Sequence, residues 1–275
     1  MKCECCDIED SCNYFDKEEK WLSCSICGGL FKKKILSNTS YFYTDIKENL
    51  PKKQGIKKRI LSLIDRRFYD LEADQYIDYL KSKTNMKFKN AFDIGAMLGN
   101  FIVKLNESGI NATGIEPGKE SVELAVTDKI EWGYFDENYE SRKHYDLICL
   151  TQMLYYVQDP YALLKKVKTF LNPNGLIFIS TYNPSSHILK NPVLNLLDNN
   201  MNILFSRKNF ESLKTNFGLE LIDYTTIRPD LYLYMSTRPV NALNLIKRHL
   251  NFYFKKSFVQ DNDGYHAFLL LKLVG

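Results

Sequence analysis

One stretch, Asn90-Ala-Phe-Asp-Ile-Gly-Ala-Met-Leu-Gly-Asn100, constrains this chain more than any other. A short apolar run carries a single acid, Asp93, and ends in a turn bearing Gly95 and Gly99. After it, Phe101-Ile-Val-Lys-Leu reads as the first turns of a helix. Two glycines four apart let the backbone turn sharply and approach a ligand closely. The stretch therefore predicts strand, tight loop and helix, the unit with which an open α/β sheet holds a cofactor. A pyrophosphate would need G-x-G-x-x-G, whose middle glycine is replaced here by Met97. Asp93 at the mouth of the loop also disfavours a diphosphate and suits a cationic ligand.

The chain downstream keeps alternating strand and helix signals. Asn111 to Glu116 reads as a second strand, and Glu116 lies 23 residues beyond Asp93. An acid at that place hydrogen-bonds ribose hydroxyls in this architecture, the plain alternative being a surface turn acid. Ser121 to Val126 reads as a short helix, and Lys129 to Asp136 as the third strand and its exit. Tyr145-Asp-Leu-Ile-Cys-Leu150 is apolar enough for a central parallel strand buried on both faces. A helix from Tyr161 to Leu171, a turn at Asn172-Pro-Asn-Gly175 and a fifth strand, Leu176 to Ser180, follow. Ser206 then caps a helix that ends at Gly218, and Leu219 to Ile227 is the next strand. His266 to Val274 is the last strand, expected antiparallel and inserted beside the fifth.

The D-x-G-x-x-x-G form of Asp93, Gly95 and Gly99 resembles motif I of class I S-adenosylmethionine-dependent methyltransferases, which place a third glycine where Met97 stands. The order of strand, loop, Asp159-Pro160, helix, Asn172-Pro-Asn-Gly175 and strand resembles the central half of the same family. Tyr155-Tyr156 replaces the family's usual Glu-His pair. The resemblance runs from about residue 88 to the end. It implies an α/β, doubly wound, mostly parallel seven-stranded sheet, Rossmann-like with the last strand antiparallel, and S-adenosyl-L-methionine as cofactor. Asp93, Gly95, Gly99, Glu116 and Gln152 are the implied cofactor contacts. Phe135 would cover the adenine and Asp136 accept from its amino group; a core aromatic beside a surface acid is the alternative. Tyr155, Tyr156 and His187 fall by position near the acceptor, as orienting groups or as a base. His144, His249 and His266 are assigned no role.

Six of the seven cysteines lie in the first 27 residues. Cys3-x2-Cys6 and Cys24-x2-Cys27 are 17 residues apart, inside the roughly 15–20-residue spacer of a structural zinc ribbon. Cys5 and Cys12 are spare, and Cys5 could exchange with Cys3 or Cys6. The chain divides into a ribbon (1–36), a loop and helical connector (37–87) and a methyltransferase domain (88–275) with an insertion or cap at 228–264. A ribbon before such a core resembles a bacterial group that modifies sugars. That resemblance implies a nucleotide-linked sugar or cell-surface glycan precursor as acceptor in polysaccharide biosynthesis.

A net charge of +4 is too small to argue for nucleic acid by itself. An RNA methyltransferase gripping phosphates with the ribbon and the basic cluster from Lys52 to Arg59 is the competing enzyme reading. A catalytically inactive binding module is the competing non-enzyme one. No signal peptide or membrane-spanning run is present, so a cytoplasmic protein is expected. The basic aromatic stretch Ile246 to Lys256 suits a cap over the active site or a peripheral membrane contact.

Overall fold

A computed structural model describes residues 2–15, 20–33, 56–187, 189, 197, 201–228 and 259–274. The expected loop at 37–54 and most of the insertion, including Ile246 to Lys256 and His249, lie outside the described residues, as do the side chains of the basic cluster from Lys52 to Arg59.

The chain begins with three short strands, β1 (Cys12–Tyr14), β2 (Trp21–Cys24) and β3 (Leu30–Lys32), and continues in a 28-residue helix, α1 (Ile56–Lys83). The helical periodicity from Ile56 to Lys83 reads as two successive helical segments, the second carrying Tyr76, Ile77 and Leu80. The structure makes it one helix, as the absence of glycine or proline allows. Strand β4 (Asn90–Ile94), helix α2 (Asn100–Glu107), strand β5 (Asn111–Glu116), helix α3 (Lys119–Glu123) and strand β6 (Ile130–Trp132) follow. Then come β7 (Tyr145–Thr151), a 3-10 turn at Leu154–Tyr156, α4 (Pro160–Lys168), β8 (Leu171–Tyr182), β9 (Ile203–Leu204), α5 (Arg207–Phe217), β10 (Leu219–Arg228), β11 (Val259–Gln260) and β12 (His266–Leu273).

The main sheet runs β11-β10-β12-β8-β7-β4-β5-β6. Strands β6, β5, β4, β7 and β8 are mutually parallel, and β12 enters antiparallel between β8 and β10. The two-residue β11 at the edge adds to the seven strands expected. The expected turn Asn172–Gly175 is absorbed into β8 as a bulge, with Tyr145 opposite Leu171 and Leu147 opposite Leu176. Gly175 fits there because an added Cβ would lie 3.0 Å from the Tyr145 carbonyl oxygen.

Both faces of the sheet are covered, which is why its central strands are apolar throughout. On one face, Tyr76, Ile77 and Leu80 of α1 and Phe101, Ile102 and Leu105 of α2 pack on Leu147, Phe178 and Phe268. On the other, Leu164 and Val167 of α4 and Phe210 and Leu213 of α5 pack on Ile148, Ile177 and Leu269. Among the described residues, no helix is long and apolar enough to cross a membrane.

The ribbon docks on this second face. Strand β9 completes its small sheet, pairing antiparallel with β3 through Leu30–Leu204 and Phe31–Ile203. The start of α5 clasps the cysteine knuckles: Ser206 donates to the Cys27 carbonyl, and Asn209 Nδ2 donates to that of Cys5 at 3.0 Å. Tyr161 on α4 donates to the same Cys5 carbonyl. Ser206 is also the α5 N-cap, closing a reciprocal box with Asn209. Ser206→Ala removes the cap and the Cys27 link together. It is expected to lower unfolding free energy by about 1–2 kcal/mol, measured by urea denaturation.

Candidate functional site

The loop after β4 folds back on the end of β5. Gly95 N and Ala96 N both donate to the Ile115 carbonyl, at 2.9 and 3.2 Å. Gly95, Met97 and Gly99 have φ of +79°, +48° and +80°. A left-handed backbone costs any residue with a Cβ, so Met97 sits where glycine is the cheaper choice. Its conformation is held from outside. Glu116 Oε2 accepts from Met97 N at 2.9 Å, and Oε1 accepts from Gly118 N at 2.8 Å. The buried Glu116 carboxyl thus joins the two loops that lead out of β4 and β5. Burial raises its pKa, and the two amide hydrogen bonds pull it back. A Cβ at Gly95 would lie 3.4 Å from Met153 Cβ, so the exit of β7 closes the third side.

Asp93 is 1% exposed, and its Oδ1 has no hydrogen-bond partner among the described residues. Burial, with the Glu116 charge adding to it, raises its pKa well above the usual carboxylate range. An acid so placed is matched by a cation.

A second polar cluster lies at the carboxyl ends of β7 and β8. Gln152, with φ +54°, donates from Nε2 to Ser180 Oγ at 2.6 Å and faces His266 Nδ1 at 3.0 Å. Tyr155 donates its hydroxyl to Gln152 Oε1 at 2.9 Å, which fixes the amide orientation. With the amide nitrogen turned to His266, Nδ1 must accept, and the imidazole is neutral; burial lowers its pKa to about 3. Ser180 continues the chain to the Tyr76 hydroxyl at 3.3 Å. Tyr155 is buried and its pKa is raised well above the usual phenol value, chiefly by burial. Its ring packs on Tyr156 and Tyr182 at 4.4 and 5.1 Å.

The structure therefore gathers Asp93, Gly95, Gly99 and Glu116 into one loop system and Gln152, Tyr155 and Tyr156 into the next. His187 lies beyond the end of β8, its side chain 88% exposed, with Nδ1 3.2 Å from Asp263 Oδ1. Phe135 packs among Tyr139, Phe170 and Phe92, at 4.8, 5.5 and 6.3 Å. Asp136 is exposed and accepts from Asn138 N. His266, Ser180 and Tyr76 are the residues that sequence reasoning left out.

The Sγ atoms of Cys3, Cys6, Cys24 and Cys27 all lie within 4.8 Å of one another. The Cys3–Cys27 and Cys6–Cys24 separations are 3.8 and 3.7 Å. Four thiolates about 2.3 Å from one tetrahedral ion would sit about 3.8 Å apart. Backbone amides of Cys5, Cys27 and Gly29 point at Cys3, Cys24 and Cys27 sulfurs, from 3.3 to 3.4 Å. Each knuckle is followed by a left-handed residue, Asp7 and Gly28. Cys5 is buried outside the set and Cys12 contacts Ser11.

The sequence profile of the methyltransferase domain matches residues 65–224. The chain belongs to that family. It is similar to the ubiquinone biosynthesis O-methyltransferase of Vibrio vulnificus, 29% identical over 136 residues, or 42% of this chain and 58% of the relative. The chain thus spans little more than half the length of the curated relatives it matches. Among solved structures, an S-adenosylmethionine-dependent methyltransferase from Thermotoga maritima is similar at TM-score 0.53 and 16% identity, covering 78% of this chain and 97% of the other. A plantazolicin methyltransferase bound to S-adenosylhomocysteine is similar at TM-score 0.50 and 17% identity, over 80% and 92%. The fold is the class I methyltransferase fold, and this family binds S-adenosylmethionine.

The raised Asp93 pKa carries a sign. A buried acid of this kind adds full stability below its unfolded pKa of about 3.9 and loses it as pH rises toward the folded value. Asp93→Asn is therefore expected to melt higher than the parent at pH 7.5 without ligand. The gap should shrink toward pH 4, followed by calorimetric scans across that range.

Proposed function

We propose that this chain transfers a methyl group from S-adenosylmethionine to a hydroxyl of a small molecule, with a nucleotide-linked sugar or glycan precursor as the first candidate. The observation that carries the reading is the junction of two clusters at one sheet edge. The loop system of Asp93, Gly95 and Glu116 meets Met153 at the exit of β7, next to Gln152, Tyr155 and Tyr156. Asp93 faces the donor's positive charge, Glu116 takes the ribose hydroxyls on its remaining lone pairs, and Gly95 and Gly99 admit the amino-acid tail. When bound, the cofactor supplies the activated methyl group, and the protein contributes binding and orientation.

Gln152, read as a cofactor contact, is held in one orientation by Tyr155, Ser180 and His266. Tyr155 stays protonated, so its role is to position. Tyr156 orients the acceptor. His187, steadied by Asp263, takes the hydroxyl proton. The name of the Vibrio relative, an O-methyltransferase, supports an oxygen acceptor. Tyr156, the partly exposed member of the tyrosine cluster, suits contact with the C–H face of a pyranose.

The cysteine set fits a structural Zn²⁺ held by Cys3, Cys6, Cys24 and Cys27. Asn202 links the ribbon to the acceptor wall: its N donates to the Tyr155 carbonyl at 2.7 Å and its Nδ2 to that of Tyr156 at 2.8 Å. Trp21 and Leu30 of the ribbon share a cluster with Tyr155 and Tyr182.

The reading is tested by incubating the protein with labelled S-adenosylmethionine and a panel of sugar nucleotides, catechols and RNA. Label in a small hydroxylated acceptor is expected, and label in RNA alone would overturn it. His187→Gln should then cut kcat by about 10²-fold or more while leaving S-adenosylhomocysteine affinity within twofold by calorimetry. Elemental analysis should find one zinc per chain. Chelation should lower the melting temperature and raise KM for the acceptor more than for the cofactor.

A further inference from the structure

The residue after the glycine loop, Asn100, is buried at 6% exposure in the first turn of α2. Its Nδ2 donates to Asp70 Oδ1 on α1 at 2.7 Å. An ionised carboxylate only accepts, so the amide nitrogen must face Asp70 and the carbonyl oxygen must point away. That oxygen, Asn100 Oδ1, has no hydrogen-bond partner among the described residues, and neither has Asp93 Oδ1. A buried acceptor left unpaired is costly and rare in native proteins. Here two of them bracket one five-residue loop, one at the end of β4 and one at the start of α2. Both are oxygens, and both call for a donor.

We propose that Asn100 is a cofactor-binding residue that accepts, together with Asp93, from the ammonium of the donor's amino-acid tail, and that Asp70 positions it by holding the amide in one orientation. A primary ammonium carries three N–H donors and no acceptor, which matches an unpaired carboxylate oxygen and an unpaired amide oxygen. A carboxylate end would be repelled by both. Asp70 and Asp74 line the same stretch of α1, where Asp74 pairs with Lys104 at 3.0 Å and Asp70 accepts from Asn100. The inference deepens the S-adenosylmethionine reading and rests on it.

The test measures binding of three ligands by calorimetry to the full chain and to Asn100→Leu and Asp70→Ala. S-adenosylhomocysteine has both ammonium and carboxylate, its decarboxylated analogue keeps only the ammonium, and 5′-methylthioadenosine has neither. In Asn100→Leu, the first two should weaken about tenfold or more, equivalent to about 1.4 kcal/mol, with 5′-methylthioadenosine unchanged. Asp70→Ala, which frees the amide to turn over, should show the same pattern at smaller size and guards against misfolding of the first variant. Equal loss for all three ligands would make Asn100 a support of the loop and overturn the proposal. Loss confined to S-adenosylhomocysteine would assign it to the carboxylate and also overturn it. Failure of the parent chain to bind S-adenosylhomocysteine would remove the cofactor reading itself, a distinguishable result.

Discussion

The site depends on one buried carboxylate each of whose oxygens accepts a backbone amide. Glu116 takes the amides of Met97 and Gly118, and so fastens the loop that leaves β4 to the loop that leaves β5. Without that brace, a residue with a full side chain would have no reason to remain left-handed at position 97. With it, Asp93 and Asn100 stand at the two ends of a five-residue arch, each with a side-chain oxygen that has no hydrogen-bond partner among the described residues.

The second dependence runs from the cysteine-bearing sheet to the tyrosine cluster. Strand β9 is shared by both: its Leu204 and Ile203 complete the ribbon sheet, and Asn202 just before it grips the backbone of Tyr155 and Tyr156. The helix that follows begins with Ser206 and Asn209, which hold the Cys27 and Cys5 carbonyls. Displacing the cysteine knuckles would pull on the same few residues that shape the tyrosine wall.

Much of this could be read from the chain, and the reasons differ by residue. The parallel strands announce themselves as apolar runs closed by glycine turns, and the two cysteine pairs by their spacing. Strand β9 could not be seen, because two residues carry no period and Ile203-Leu204 looks like the lead-in to a helix. His266 was passed over although the topology held the clue. A final strand running antiparallel beside the fifth starts where the fifth ends, so its first residue must stand at the ligand-binding edge of the sheet. The pairing of Asn100 with Asp70 is a contact across 30 residues that only packing creates. Phe135 and Asp136 lie in an exit loop whose contacts come from packing rather than from a sequence period. The ring has joined a local aromatic cluster, and the acid closes a surface turn.

The pairing of β3 with β9 also orders events during synthesis. Leu30 leaves the ribosome 174 residues before Leu204, its eventual neighbour. At about 5–20 residues per second that interval is roughly 10–35 s. Throughout it, the four cysteines lack both β9 and α5, the elements that later cover them. The cysteine knuckles are therefore made long before the segment that settles on them through Ser206 and Asn209.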